Sequence, residues 1–172
     1  MSEYRRIYQQ GGSYFFTVVT HQRLKILALP ANIVRLQSAF HKVTKNYPLT
    51  MEAFVILPDH IHCMWRMPSW DSNYSIRWRL IKSHFSGGFN HPVNKRGEKE
   101  IWQRRFWEHL LRDDEDWRRH MDYIHYNPVK HGYVENPGDW PHSSFRQAIK
   151  DGLYALDWGA EEPGGISRMD LE

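Results

Sequence analysis

Two short apolar runs, Met51 to Pro58 and His60 to Met67, are separated by a single Pro-Asp step, and no other feature constrains the fold of this chain as strongly. Pro58-Asp59 is turn chemistry, so the two runs predict the paired strands of a hairpin. Side chains two apart on a strand share a face. His60 and His62 therefore stand together, with Ile61, Cys63 and Trp65 on the opposite side. Two neutral imidazoles side by side can hold one divalent cation, but two protein donors rarely complete a site, so a third is expected from elsewhere. The plainer alternative is a pair of hydrogen-bonded or solvent-facing histidines.

The rest of the chain supplies elements on either side of this hairpin. Tyr14 to Thr20 is aromatic and β-branched after Gly11-Gly12-Ser13, which predicts a first strand. From Pro30 to about Asn46, the residues Ile33, Leu36, Phe40 and Val43 recur at helical spacing. Asn73 to Phe85 repeats the pattern with Ile76, Leu80, Ile81 and Phe85, and ends at Gly87-Gly88. Residues 89–100 have no periodicity and read as an exposed loop. Residues 102–111 fit strand or helix, and their aromatics favour a strand. Asp113-Asp114-Glu115-Asp116 then opens a helix by complementing the dipole, and Pro128 is expected to end it at Tyr126 or Asn127. The order is that of an α+β fold, a βαββαβ sandwich with an antiparallel sheet and an added C-terminal helix. A short helix is expected near 144–150, with one domain over residues 1–150 and a flexible, acidic tail over 151–172.

Composition matters at three points. The single cysteine, Cys63, excludes an internal disulfide and a multi-cysteine zinc site. No stretch approaches the length of a membrane span and no apolar leader core follows Met1, so a soluble, cytoplasmic protein is expected. Aromatics make up 15% of the chain and the net charge is +3, which suits either a well-filled core or a polyanionic partner whose bases stack on rings.

On the last long helix, Tyr123 and Asn127 are four residues apart and share a face, with Trp117, Met121 and Ile124 on the core side. An amide oxygen beside a phenol could complete the histidine site, with the phenol attacking a phosphate that the cation polarises. Tyr126 and His125 lie on the same helix as rival candidates, and His120 is expected to face water.

His60-Ile61-His62 followed by Tyr123-Ile124-His125-Tyr126-Asn127-Pro128-Val129-Lys130-His131-Gly132 resembles the single-tyrosine transposases of the histidine-hydrophobe-histidine endonuclease superfamily. The branch it is most similar to is the REP-associated tyrosine transposases. The likeness extends to Leu57-Pro58-Asp59, Trp102-Gln103-Arg104-Arg105-Phe106-Trp107 and Trp140-Pro141-His142-Ser143-Ser144. This resemblance implies a ferredoxin-like sandwich that binds a single-stranded DNA hairpin, the repetitive extragenic palindrome, and cuts beside it. It further implies Tyr123 as the nucleophile, leaving a 5′-phosphotyrosine and a free 3′-hydroxyl, and His60, His62 and Asn127 as the holders of Mg²⁺ or Mn²⁺. It suggests a monomer associated with the nucleoid.

Basic residues crowd the stretch from Arg77 to Arg119, and Arg77, Arg79, Lys82, Arg104, Arg105 and Lys130 are the expected DNA-binding set, with Lys95, Arg96, Arg118 and Arg119 as further cations. Trp70, Trp78, Trp102 and Trp107 could stack on unpaired bases or fill the core. Two other functions fit the same residues: a hairpin-binding module without cleavage, and a metal-water hydrolase. The second commonly needs a (β/α)₈ barrel of roughly 250 residues, longer than this chain.

Overall fold

In the computed structural model, which describes residues 6–171, the hairpin forms as predicted, with β2 at Thr50–Ile56 and β3 at His60–Arg66. The ends of the two expected segments, residues 1–5 and 172, lie outside the described residues. The turn is pinned from below: Thr20 N–H and Oγ1–H both donate to the Asp59 carbonyl at 2.9 Å, and Leu27 N–H donates to that of Pro58 at 2.8 Å. With β1 (Ser13–Val19) and β4 (Trp107–Leu110), the strands make one antiparallel sheet in the order β2-β3-β1-β4. This is the ferredoxin-like α+β arrangement expected from the element order, and it contains no barrel.

The period-two alternation of β1 and β3 divides the molecule into two layers. Tyr14, Phe16, Val18, Ile61, Cys63 and Trp65 point to one face, where α1 (Pro30–Asn46) and α2 (Tyr74–Gly87) cover them. Proline at the first turn of α1 and the Asn73 side chain accepting from Ile76 N–H at the start of α2 fix where these helices begin. Phe15, Ala53, Val55 and Met64 point to the other face, which α3 (Asp114–Lys130) covers together with α4 (Phe145–Lys150). Asp113 caps α3 by accepting from Asp116 N–H at 2.8 Å.

Four expectations are corrected. Pro128 does not end α3: it lies inside the helix and is buried, and packing of the last turn offsets the one lost backbone bond. The strand at 102–111 is shorter than expected, because Ile101 to Phe106 run irregularly along β1 with only an isolated bridge between Thr20 and Trp102. His120 is buried, not hydrated. The acidic tail packs instead of lying free, because its apolar residues find the outer side of α3. Tyr154 and Ile166 join the core, and Trp158 meets Tyr126, Phe145 and Tyr154. Gly159 permits this close approach, since at its φ of +90° a Cβ would lie 2.6 Å from Pro137 Cγ.

Candidate active site

Register between β1 and β3 places Thr17 opposite His62 and Val19 opposite His60. Both imidazoles are buried, and their ring centroids are 4.7 Å apart. Each ring is held by its Nδ1. His60 Nδ1 lies 2.7 Å from Asp59 Oδ1, and Asp59 is in turn paired with Arg23 at 3.2 Å. His62 Nδ1 lies 3.0 Å from Thr17 Oγ1, whose single proton goes to the Leu171 carbonyl at 2.6 Å. Thr17 must therefore accept from His62, and Asp59 from His60, so in both neutral rings the proton sits on Nδ1 and Nε2 carries a bare lone pair. Both Nε2 atoms are buried without a hydrogen-bond partner.

An orphaned buried acceptor costs about 1–3 kcal/mol, so two of them side by side mark a place built for something else. Burial keeps His62 neutral, pushing its pKa well below the usual imidazole value, with the charge of Lys130 adding to the effect. Burial also works against the Asp59 carboxylate. The hydrogen bond from His60, with the hydrogen bond and charge of Arg23, overcomes this and holds its pKa at about 2.

Helix α3 brings the remaining groups. Tyr123 is fully buried, its ring 5.2 Å from that of His62 and edge-on to it. Lys130 Nζ lies 3.4 Å from the Tyr123 hydroxyl and 4.8 Å from the ring centroid. One turn on, Asn127 is also buried, and both its Oδ1 and its Nδ2 lack hydrogen-bond partners. One turn further, His131 places its ring 5.2 Å from that of His60. Asn127 is thus bracketed on one helical row by Tyr123, which meets His62, and His131, which meets His60. The donor chemistry, two imidazole nitrogens and an amide oxygen, fits a hard or borderline divalent cation.

A second grouping lies nearby. His109, Asp116 and His120 bring metal-ligating atoms within 4.8 Å of one another. Here, however, the donors already satisfy each other. His109 Nε2 meets Asp116 Oδ2 at 2.7 Å, His120 Nδ1 donates to the Asp116 carbonyl at 2.8 Å, and Arg112 and Arg119 flank the carboxylate at 3.4 and 3.6 Å. Its carboxylate, Asp116, also lies in the first turn of α3, whose positive dipole end repels a cation, whereas Asn127 is in the last turn, whose negative end attracts one. The triad fastens β4 to α3.

The expected phosphate-binding residues separate. Arg79, Arg104, Arg105 and Lys130 are exposed, as are Lys95, Arg96 and Arg118. Arg77 is not available to DNA: it is fully buried, paired with Asp71 at 2.7 Å and donating to the Asn73 and Pro48 carbonyls. Lys82 donates to the Gln103 carbonyl at 2.6 Å, which ties α2 to the segment carrying Arg104 and Arg105, and burial lowers its pKa to about 8. Trp78 and Trp102 belong to the core, whereas Trp70 and Trp107 reach the surface. His125, the rival on α3, is engaged by Tyr154 and Ser144 at 3.2 and 2.8 Å.

Asp59, Thr17 and His131 escaped the sequence reading. Asp59 stands beside the pair in the sequence, and its carboxylate was the one available signal. Thr17 is set by cross-strand register, and His131 was hidden by the assumption that Pro128 ends the helix.

A tyrosine packed edge-on against a buried histidine pair, on an antiparallel ferredoxin-like sheet, is the arrangement expected of the histidine-hydrophobe-histidine transposases. Comparison with known proteins agrees. Residues 9–126 match the family model described as Transposase IS200 like. A protein of Haemophilus influenzae described as a REP-associated tyrosine transposase is 48% identical over 166 residues, covering 92% of this chain and 94% of that one. The REP-associated tyrosine transposase of Escherichia coli is 45% identical over 161 residues, covering 94% and 93%. The solved structure of a REP-associated tyrosine transposase bound to a REP hairpin superposes with a TM-score of 0.81 at 42% identity, covering 99% of each chain. The chain belongs to the REP-associated tyrosine transposases, a branch of the IS200-like family, and is an enzyme of the tyrosine-transposase type.

Proposed function

We propose that this protein binds REP-type hairpins in single-stranded DNA and cleaves and rejoins the strand beside them through Tyr123. The observation that carries this reading is the set of orphaned donors, His60 Nε2, His62 Nε2 and the Asn127 amide, buried next to the tyrosine. His60, His62 and Asn127 would hold Mg²⁺ or Mn²⁺. When bound, the cation would draw charge from the scissile phosphate. Tyr123 Oη attacks phosphorus; the new O–P bond forms as the P–O3′ bond breaks, and the departing 3′-oxygen takes up a proton. The product is a 5′-phosphotyrosine and a free 3′-hydroxyl. Because the phosphodiester energy is kept in that link, a 3′-hydroxyl can reverse the step without ATP.

Lys130 places an ammonium at the phenol oxygen, where negative charge develops as the proton leaves. Arg79, Arg104 and Arg105, held in place by Lys82, would take phosphates of the hairpin and its flank. Tyr123 packs against His62 of its own chain, which supports a monomer as the working unit. No helix among the described residues is long and apolar enough to cross a membrane, in keeping with a nucleoid-associated, cytoplasmic protein.

A denaturing gel tests the reading. Purified protein, Mn²⁺ and 3′-labelled single-stranded DNA carrying a palindromic hairpin should give a labelled protein-DNA adduct. Tyr123→Phe and the double variant His60→Ala/His62→Ala should give none. Hairpin bound without any adduct from the parent would make the protein a binding module.

A further inference from the structure

We propose that His131 is a fourth protein donor at the site formed by His60, His62 and Asn127, so that the cation is held by three imidazoles and one amide. The inference rests on the metal reading of that site and adds a residue to it.

Helix α3 carries the argument. Tyr123, Asn127 and His131 follow one another at four-residue intervals, and the turn is unbroken between them. His131 has helical torsions, φ −84° and ψ 0°, and its N–H donates to the Asn127 carbonyl at 3.0 Å. The row that presents the nucleophile and the amide therefore extends one more step to an imidazole.

The ring spacing is that of a shared cation. A nitrogen-bound cation lies about 2.1 Å from its donor, so two imidazoles bound at roughly 90–110° have their centroids about 4.5–5.3 Å apart. The His60–His62 pair stands at 4.7 Å and the His60–His131 pair at 5.2 Å. Both spacings fall within that span, and the two pairs share the ring whose Nε2 is orphaned and buried. The position also suits a cation because it lies at the C-terminal end of α3, where the helix dipole makes the field negative. Tyr133 stacks on His131, with ring centroids 5.9 Å apart and planes inclined by 28°.

The test uses the full chain without DNA and Mn²⁺ as probe. His131→Phe keeps a ring against His60 and Tyr133 but removes the nitrogen. Calorimetric titration should show Mn²⁺ affinity falling at least about 10-fold in this variant, as expected for loss of a ligand when outer-shell changes alone cost that much. Pulsed paramagnetic resonance of bound Mn²⁺ should count three imidazole nitrogens in the parent and two in His131→Phe. Unchanged affinity with an unchanged nitrogen count would overturn the assignment of His131 while leaving the histidine pair standing. If His60→Ala/His62→Ala bound Mn²⁺ as the parent does, the underlying metal reading would itself fail. A variant that loses affinity but still shows three nitrogens would likewise refute direct ligation.

Discussion

The two faces of the sheet are made by the same strands and do opposite work. On β3, Ile61, Cys63 and Trp65 enter a layer that is aromatic and closed, where Trp65 meets Trp78 at 4.8 Å and Phe16 at 4.5 Å. The alternate residues, His60 and His62, are just as deeply buried but end in nitrogens with nothing to bond. The closed face also holds unpartnered N–H groups, at Trp65, Trp78 and Trp102, but these are single donors on rings that pack. The second face sets two unpartnered imidazole nitrogens side by side, an arrangement that serves chemistry and not packing. Substitutions on the two faces should therefore separate cleanly.

The largest effect is expected on the closed face. Trp65→Ala removes a fully buried ring and should destabilise the protein by about 3–5 kcal/mol in urea or guanidinium titration. His62→Leu, three residues away on the open face, exchanges a polar ring with an orphaned nitrogen for an apolar group of similar volume. The metal-free protein should lose no stability beyond about 1 kcal/mol, while adduct formation disappears. A loss as large as that of Trp65→Ala would show that the histidine is structural and would erase the contrast between the faces.

Next in size is the response to metal. A cation that binds only the folded state at 100 times its Kd adds about 2.7 kcal/mol. The parent should gain that much with Mn²⁺ in a thermal or denaturant scan, and His62→Leu should gain nothing. Equal gains in both would move the cation away from the histidine pair, with the His109–Asp116–His120 cluster as the place to look.

Much of this division was legible in the sequence, for a physical reason. Strand alternation sorts side chains by parity, so the His60–Ile61–His62 pattern alone assigned both faces of β3, and the apolar stripe of α1 gave its packing side. The helix that carries Tyr123 was found from its acidic start and its four-residue spacing. What stayed hidden depends on tertiary contact. That Arg77 meets Asp71 and not DNA is settled by how the loops beneath it fold, although its spacing of three and four from Tyr74 and Ile81 puts it, unlike Arg79, on the stripe that α2 buries. Pro128 misled because its cost in isolation is large, while its actual environment is a packed last turn. The tail looked solvated because its charges dominate its composition, although Tyr154, Trp158 and Ile166 are enough to seat it.

The fastening between the open face and α3 should give a smaller, pH-dependent effect. Burial raises the Asp116 pKa, but the hydrogen bond from His109, the Arg112 N–H and the nearby His120 charge outweigh it and leave the carboxyl below its ordinary 3.8. A carboxylate whose pKa is depressed by folding stabilises the protein above the unfolded value and loses that contribution as pH falls through it. Asp116→Asn should thus cost about 2 kcal/mol near neutral pH, and the gap to the parent should narrow below about pH 4. A gap independent of pH would mean that packing, not charge, holds β4 to α3.

The smallest change in stability is expected at the end of the chain, and it bears most directly on the open face. The Leu171 carbonyl accepts from Thr17, the residue that sets the His62 tautomer, and the Met169 carbonyl lies 3.4 Å from Lys130 Nζ. These contacts seat residues 169–171 against Thr17 and Lys130, the partners of His62 and Tyr123. Removing residues from Met169 onward leaves Tyr154, Trp158 and Ile166 in place and gives up only the partial packing of Met169 and Leu171, so stability should fall by about 1 kcal/mol. Truncation at Gly152 would strip those core residues and confuse the two effects. In the shorter deletion, Thr17 can still accept from His62, so the tautomer survives while Lys130 loses a competing acceptor. Adduct formation should rise, read as initial rate on the 3′-labelled hairpin substrate with Mn²⁺ in excess. An unchanged rate would show that the chain end yields to DNA at no cost, and the open face would then be limited by its metal and its nucleophile alone.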